Sequence, residues 1–366
     1  MRIICNWKSF SLHSAHTISI HRNEVLPEMK RVILATALCA AFIGAPAHAE
    51  DKVLNLYTAR HYQTDEALYE NFTKATGIKI NRIEGKDDAL LERIRSEGDN
   101  SPADVFVTVD ASRLAKADEL GVFDTVDSEV LNARVPAHLH TNTWYAFSTR
   151  ARAIVYNKAA LKADQVQNYE DLAAPALKGK VCTRSGSHPY NLSLGGALIA
   201  RLGAEKTQAW AEGVVANFAR QPKGGDTDQI RAVAAGECGV AIANSYYFAR
   251  LLKSDKPADQ EVISAVGLVW PNQATTGTHV NVSGAGILKH APHKAEAKAF
   301  LEYLASDEAQ RYFADGNNEW PVVASVKLDN TALAKMGEFK ADTLPIGDIA
   351  KNVAEAQKVF DRAGYR

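Results

Sequence analysis

Between residues 52 and 121 two sequence rhythms alternate. Short, nearly continuous apolar runs are followed each time by segments whose apolar residues recur at spacings of three and four. The first run, KVLNLYTA, reads as a strand covered on both faces, since its apolar residues do not alternate with polar ones. A helix follows at once. Thr64 or Asp65 caps it, Leu68, Phe72 and Ala75 share one face, and Gly77 stops it. IKINRIE returns as a strand, DALLERIRSE as a helix, ADVFVTV as a strand, and SRLAKADELG as a helix ended by Gly121. Strands that alternate with helices require a parallel sheet with helical cover, which sets the class as α/β.

The rhythm then changes. TWYAFSTRARAIVYN places two β-rich stretches close together around Ser148 to Arg152 and reads as a crossing strand pair. The alternation resumes with KGKVCTR as strand, NLSLGGALIARLG, AEKTQAWAEGVVANFARQ and DTDQIRAVAAGE as helices, and CGVAIAN as strand. A further β-rich stretch runs from SAVGLVWPN to HVNVSGAGIL, with the glycines of SGAGILK read as a tight turn. Two helices follow, KAEAKAFLEYLA and SDEAQRYFAD, the second capped by Ser306 or Asp307. A length of 366 residues suits two domains better than one. The layout predicts two α/β lobes, each a sheet flanked by helices, joined by crossing hinge strands.

Met29-Lys30-Arg31, the apolar stretch VILATALCAAFIGAP and Ala47-His48-Ala49 form the basic, apolar and cleavage regions of a secretory signal. The apolar stretch is too short to span a bilayer. Cleavage is expected after Ala49, and Met29 is expected to be the true start, because residues 1–28 carry Glu24 and Glu28 ahead of the basic region. Cys39 follows Leu38, not the small residue that lipidation favours. Of 42 basic and 43 acidic residues, export removes Arg2, Lys8, Arg22, Lys30 and Arg31 and the acids Glu24 and Glu28. That leaves 37 and 41, or −4, a balance that fits neither a nucleic-acid partner nor a polybasic membrane surface. Two cysteines remain, Cys182 and Cys238. In an exported chain an even count predicts a disulfide, and a loop of that length stabilises by about 4 kcal/mol in the chain-entropy account.

No G-x-S-x-G, Walker A, G-x-G-x-x-G or H-E-x-x-H occurs, so the sequence gives an enzyme no recognisable frame. Tyrosines instead gather where strands end and helices begin, the edge at which open α/β sheets place ligands. His61-Tyr62 follows the first strand, Tyr190 lies in the loop SGSHPYN, and Tyr246-Tyr247 follows CGVAIAN, with Ser245 as the expected helix cap. Neighbours at a helix start are about 100° apart around the axis and can share a ligand, as strand neighbours cannot. Phenolate oxygen suits Fe3+. A free phenol has a pKa near 10, so only a strongly polarising cation ionises it at neutral pH. Rings packed with their hydroxyls in water remain the alternative on spacing alone. Arg60, Arg150, Arg152 and Arg250 flank these segments and are candidates to offset surplus negative charge.

The stretches NLYTARHYQTDEALYENFTKATGIKI, SPADVFVTVDASRL, RARAIVYN, CTRSGSHPYN, GECGVAIANSYYFARL, GTHVNVSGAG and NNEWPVV resemble the ferric-iron-binding periplasmic proteins of ABC transporters, within them the tyrosine-rich subgroup. The resemblance implies a type II periplasmic-binding-protein clamshell. Its first lobe would comprise residues 50–146 and 276–332, its second 147–275, with C-terminal helices 333–366 packed on the second. It implies Fe3+ as cargo, phenolate ligands at Tyr62, Tyr190, Tyr246 and Tyr247, and His61 as a further ligand. It also implies a monomer in the periplasm that delivers to a permease and ATPase complex of the inner membrane, without nucleic acid. One position departs from the family pattern. Val109 stands where better-known relatives have a glutamate, so completion of the shell by a synergistic anion, phosphate or carbonate, is open. The rival reading is the same clamshell holding a small organic ligand, a polyamine or a phosphonate.

Overall fold

Strand β1, Val53–Thr58, forms where sequence periodicity places it. Leu54, Leu56 and Tyr57 are buried, and the strand is flanked on both sides by parallel neighbours. The computed structural model describes residues 52–60 and 62–366, which fall within one compact unit. The expectations for the signal peptide, for Met29 and for His61 lie outside the described residues. Helix α1 (Asp65–Thr76) follows, then β2 (Lys79–Glu84), α2 (Asp87–Glu97), β3 (Val105–Thr108), α3 (Ala111–Glu119) and α4 (Glu129–Arg134). Gly77 closes α1 at φ 73°, a left-handed conformation that glycine adopts without penalty. Leu68, Tyr69 and Phe72 form the buried face, with Phe72 edge-on to Phe300 at 5.1 Å, whereas Ala75 is exposed.

The chain continues through β4 (Trp144–Asn157), β5 (Val181–Cys182), α5 (Pro189–Leu202), α6 (Ala204–Ala216), α7 (Asp226–Ala234), β6 (Val240–Asn244) and α8 (Ser245–Lys253). After these come α9 (Pro257–Ala265), β7 (Val266–Val269), β8 (Val280–Ile287), α10 (Lys294–Leu304), α11 (Asp307–Asn317), β9 (Trp320–Pro321), α12 (Thr331–Met336), α13 (Ile346–Lys351) and α14 (Val353–Ala363). Among the described residues the strand order is 2-1-3-8-4-6-5, with β7 and β9 added alongside β4. Ser306 caps α11 through the Ala309 amide, as its sequence predicts.

Two expectations are corrected here. The crossing strand pair is a single strand of 14 residues, β4, with one register shift between Ala146 and Ser148. Its first half pairs with β8 and β9, its second half with β6 and β7, so one strand passes from one sheet region to the next. Ser148 and Arg150 look like a break in sequence, yet both are buried because Glu319 bonds both of them. The glycines of SGAGILK are not a turn either. Gly284 and Gly286 lie inside β8, where a Cβ at Gly284 would sit 2.6 Å from the Tyr145 carbonyl and one at Gly286 2.5 Å from the Phe123 ring. Gly284→Ala is therefore expected to destabilise the fold by about 1–3 kcal/mol, read as a lowered urea midpoint at unchanged slope.

Where β4 and β8 part, the ladder is interrupted by a side chain. The Arg152 amide still donates to the His279 carbonyl at 3.0 Å. The reciprocal bond is replaced by the buried Tyr169 hydroxyl, which donates to the Arg152 carbonyl at 2.6 Å and accepts from the His279 amide at 3.1 Å.

The core falls into three hydrophobic clusters. One gathers β1, β3, β8 and the start of β4 with α1, α3 and α10; a second joins β5 and β6 to α5, α6 and α14; a third covers the opposite side of β6 with α7, α8 and α12. Helix α13 touches both α3 and α5. Cys182 and Cys238 are disulfide-bonded with Cα atoms 5.8 Å apart. No helix among the described residues is long and apolar enough to cross a membrane.

Candidate functional site

Each tyrosine singled out in the sequence sits at a strand-to-helix junction, but two of the local structures differ from expectation. Tyr190 is not in a loop. It is the second residue of α5, behind Pro189, whose fixed φ suits the first helical position. His188, which sequence reading left without a role, caps this helix: its Nδ1 accepts from the Tyr190 amide at 3.2 Å, and its ring meets the Tyr190 ring edge-on at 4.5 Å. Burial and the neighbouring Arg184 and Arg152 push the His188 pKa down to about 3, which keeps Nδ1 free to accept. Ser245 is not a cap either. Asn244 holds that position in extended conformation, and the Ser245 hydroxyl accepts from the Ala151 amide at 3.1 Å. Tyr246 and Tyr247 thus occupy the first turn of α8, and Tyr62 lies in the turn between β1 and α1.

The fold brings Tyr190, Tyr246 and Tyr247 together. The Tyr190 and Tyr246 hydroxyls are 3.0 Å apart, and the Tyr246 and Tyr247 rings run side by side with centroids at 4.3 Å. Tyr246 is buried; the other three are partly so. Burial pushes the Tyr246 phenol well above its ordinary value, and the charges that Tyr62, Tyr190 and Tyr247 would carry push it further. The Tyr190 phenol is raised by burial and then by Tyr247, against the lowering influence of Arg150. Burial also raises the Tyr62 phenol, helped by the Glu319 carboxylate and opposed by Arg150 and Arg60. All four hydroxyls lie within electrostatic reach of one another, and burial favours the neutral phenol at Tyr62, Tyr190 and Tyr246. His61 lies outside the described residues.

The four arginines divide by environment. Arg60 is buried, bonded to Asp65 through Nε at 2.7 Å and to Glu319 at 3.2 Å, with its guanidinium 4.8 Å from the Tyr62 ring centre. Arg150 is buried against the same Glu319 at 3.0 Å and shares Ser283 Oγ with Arg60. Arg152 is buried against Asp226 and Asn191. Arg250 is exposed, with its guanidinium 5.5 Å from the Tyr247 ring and 6.0 Å from that of Tyr246. Sequence reading missed Glu319, which joins Arg60 and Arg150 behind Tyr62, and no local signal marks it, since Arg60 is 259 positions away. It also missed Arg184, whose guanidinium lies 5.0 Å from the Tyr190 ring. Val109, directly after β3, offers no side-chain oxygen. Among the described residues no three His, Cys, Asp or Glu side chains gather as a metal would need, so the convergent hard donors are the phenols.

Residues 57–311 match the family described as bacterial extracellular solute-binding protein. Iron uptake protein A1 of Synechocystis is 48% identical over 324 residues, covering 88% of this chain and 90% of that one. A Trichodesmium protein, IdiA or FutA, solved in complex with iron and citrate ligands, superposes with a TM-score of 0.83 at 51% identity, over 86% of this chain and all of that one. The ferric binding protein of Campylobacter jejuni gives a TM-score of 0.80 at 41% identity, over 86% of this chain and 100% of its own. These similarities support the two-lobed type II periplasmic fold that the sequence predicts.

Proposed function

The chain belongs to the bacterial extracellular solute-binding proteins, and from that premise we propose that it captures ferric iron through tyrosine phenolates and passes it to an ABC transporter for iron uptake. The observation that carries this reading is the convergence of Tyr190, Tyr246 and Tyr247, with Tyr62 in electrostatic contact, into one partly buried cluster. Such a cluster is costly to ionise alone and suited to a trivalent cation. Three phenolates neutralise Fe3+ and a fourth leaves one negative charge; Arg150, within electrostatic reach of Tyr62, Tyr190 and Tyr246, and Arg250, 5.5 Å from the Tyr247 ring, are placed to offset it. His61 is a further ligand in this reading, Arg60 and Arg152 orient the tyrosines, and an anion such as phosphate or carbonate fills any position that Val109 leaves open.

Tyr62 belongs to the lobe of residues 50–146 and 276–332, the other three tyrosines to that of 147–275, and β4 with β8 forms the hinge. Iron that binds both lobes favours the closed form over the open one, and the transporter reads that difference. The recipient is a permease and ATPase complex of the inner membrane, and the protein works as a periplasmic monomer. Nothing in the site or among the relatives favours an enzyme.

Metal analysis and the visible spectrum of the purified protein test the proposal. Ferric citrate is expected to give one iron per chain and a phenolate-to-iron charge-transfer band. Protein that stays colourless with excess ferric citrate but is thermally stabilised by a polyamine or a phosphonate would establish the rival ligand class instead.

A further inference from the structure

A fully buried carboxylate outside the tyrosine cluster bonds the start of the helix that carries Tyr246 and Tyr247 and, through Arg152, reaches the start of the one that carries Tyr190. Asp226, the first residue of α7, has no solvent exposure. One carboxylate oxygen accepts from Arg152 Nη1 at 2.5 Å and from the Asn244 amide at 2.7 Å, and the other accepts from Arg184 Nη1 at 3.2 Å. The Asn244 amide is the residue that caps α8, so that bond fixes where Tyr246 and Tyr247 begin. Both arginines face the ring of Tyr190, at 5.9 Å for Arg152 and 5.0 Å for Arg184. Arg152 Nη2 donates in addition to Asn191 Oδ1 at 2.7 Å, one residue beyond Tyr190 on the first turn of α5. Asn191 in turn holds the preceding loop, donating to the carbonyls of Arg184 and Ser185 at 3.0 Å each.

We propose that Asp226 is a positioning residue for the iron site, one that sets Tyr190 against Tyr246 and Tyr247 before the metal arrives. This rests on the iron-binding reading above. A buried ion pair is a poor device for stability, because desolvation offsets most of its attraction and apolar packing of similar volume does as well. It is a good device for geometry. A carboxylate that accepts from two guanidiniums and a backbone amide fixes three directions at once, and groups behind ligands hold first contacts in productive arrangement. The arginines it orients also present positive charge to the Tyr190 ring, so they support the phenolate form in the loaded state.

The test compares wild type, Asp226→Asn and Arg184→Gln, with ferric citrate as the iron source and citrate as the competing chelator. Asp226→Asn is expected to bind iron roughly 10–100-fold more weakly, with a displaced charge-transfer maximum, since one phenolate meets the metal at an altered angle. Arg184→Gln removes only the arm that is partly exposed and is expected to fold; its loss should lie at the low end, about tenfold, with the same direction of spectral change. An unchanged affinity and band in Asp226→Asn overturn the proposal. So does a lowered melting temperature of the iron-free protein with an unmoved band, which marks a merely structural residue. If Asp226→Asn fails to fold, Arg184→Gln decides by the same criteria. Absence of any band in wild type would defeat the iron reading itself, a distinct outcome.

Discussion

Tyr246→Phe is expected to weaken and shift the charge-transfer band of the iron-loaded protein and to weaken iron binding by more than the roughly 10–100-fold that loss of a group behind a ligand costs. The hydroxyl of Tyr246 lies 3.0 Å from that of Tyr190, and the ring runs beside Tyr247, so Tyr246 links the other two tyrosines. Phenylalanine keeps the ring and leaves no cavity. What is lost without iron is one hydrogen bond, worth about 0.5–1.5 kcal/mol, so the iron-free melting temperature should move by at most a few degrees. Tyr247→Phe should behave alike. Chelator competition and the visible spectrum read the effect, and full colour with unchanged affinity in both variants would remove the phenolates from the site.

Acidification is expected to release the iron steeply. Burial holds the phenols of Tyr62, Tyr190 and Tyr246 above their ordinary value, so at neutral pH the empty site carries three protonated hydroxyls there. Each must give up its proton to bind, and protons compete with iron at every pH below those raised values. Affinity therefore increases with pH across the physiological range, by about three logarithmic units per pH unit for three protons once ferric hydrolysis is accounted for. Proton release into weakly buffered solution, followed by an indicator dye during iron addition, measures the number directly. Release of less than one proton per iron would mean that the phenols bind without ionising, contrary to the chemistry proposed here.

The parts of this molecule that sequence makes legible are those decided locally. Alternation of β1, α1, β2, α2, β3 and α3 follows from apolar spacing and from stops such as Gly77, whereas the cap expected of Thr64 is not made by its side chain. The cysteine pair follows from a count. Failures occur where distant residues override local pattern. Ser148 and Arg150 read as a break in β4 because their partner, Glu319, is far along the chain, and Gly284 and Gly286 read as a turn because the need for close approach to Tyr145 and Phe123 is invisible until the sheet is assembled. The start of α5 escapes local reading for a smaller reason, a histidine acting as cap ahead of proline. At the site, the tyrosines stand out by type and position, whereas the acids that orient the arginines do not. Asp226 reads as the polar start of an ordinary helix, and its partners Arg184 and Arg152 are 42 and 74 positions away.

The hydroxyl of Tyr169, interposed where β4 and β8 diverge, bears on how the two strands can part company. A phenolic O–H lies by preference in the plane of its ring, and from there its oxygen gives to one backbone and receives from the other, replacing a direct rung with a two-step bridge. The sheet is in effect pre-cut and pinned at that point. The Arg152 carbonyl and the His279 amide thereby keep a partner where the direct ladder thins to a single bond, and neither is left unpaired in a dry interior.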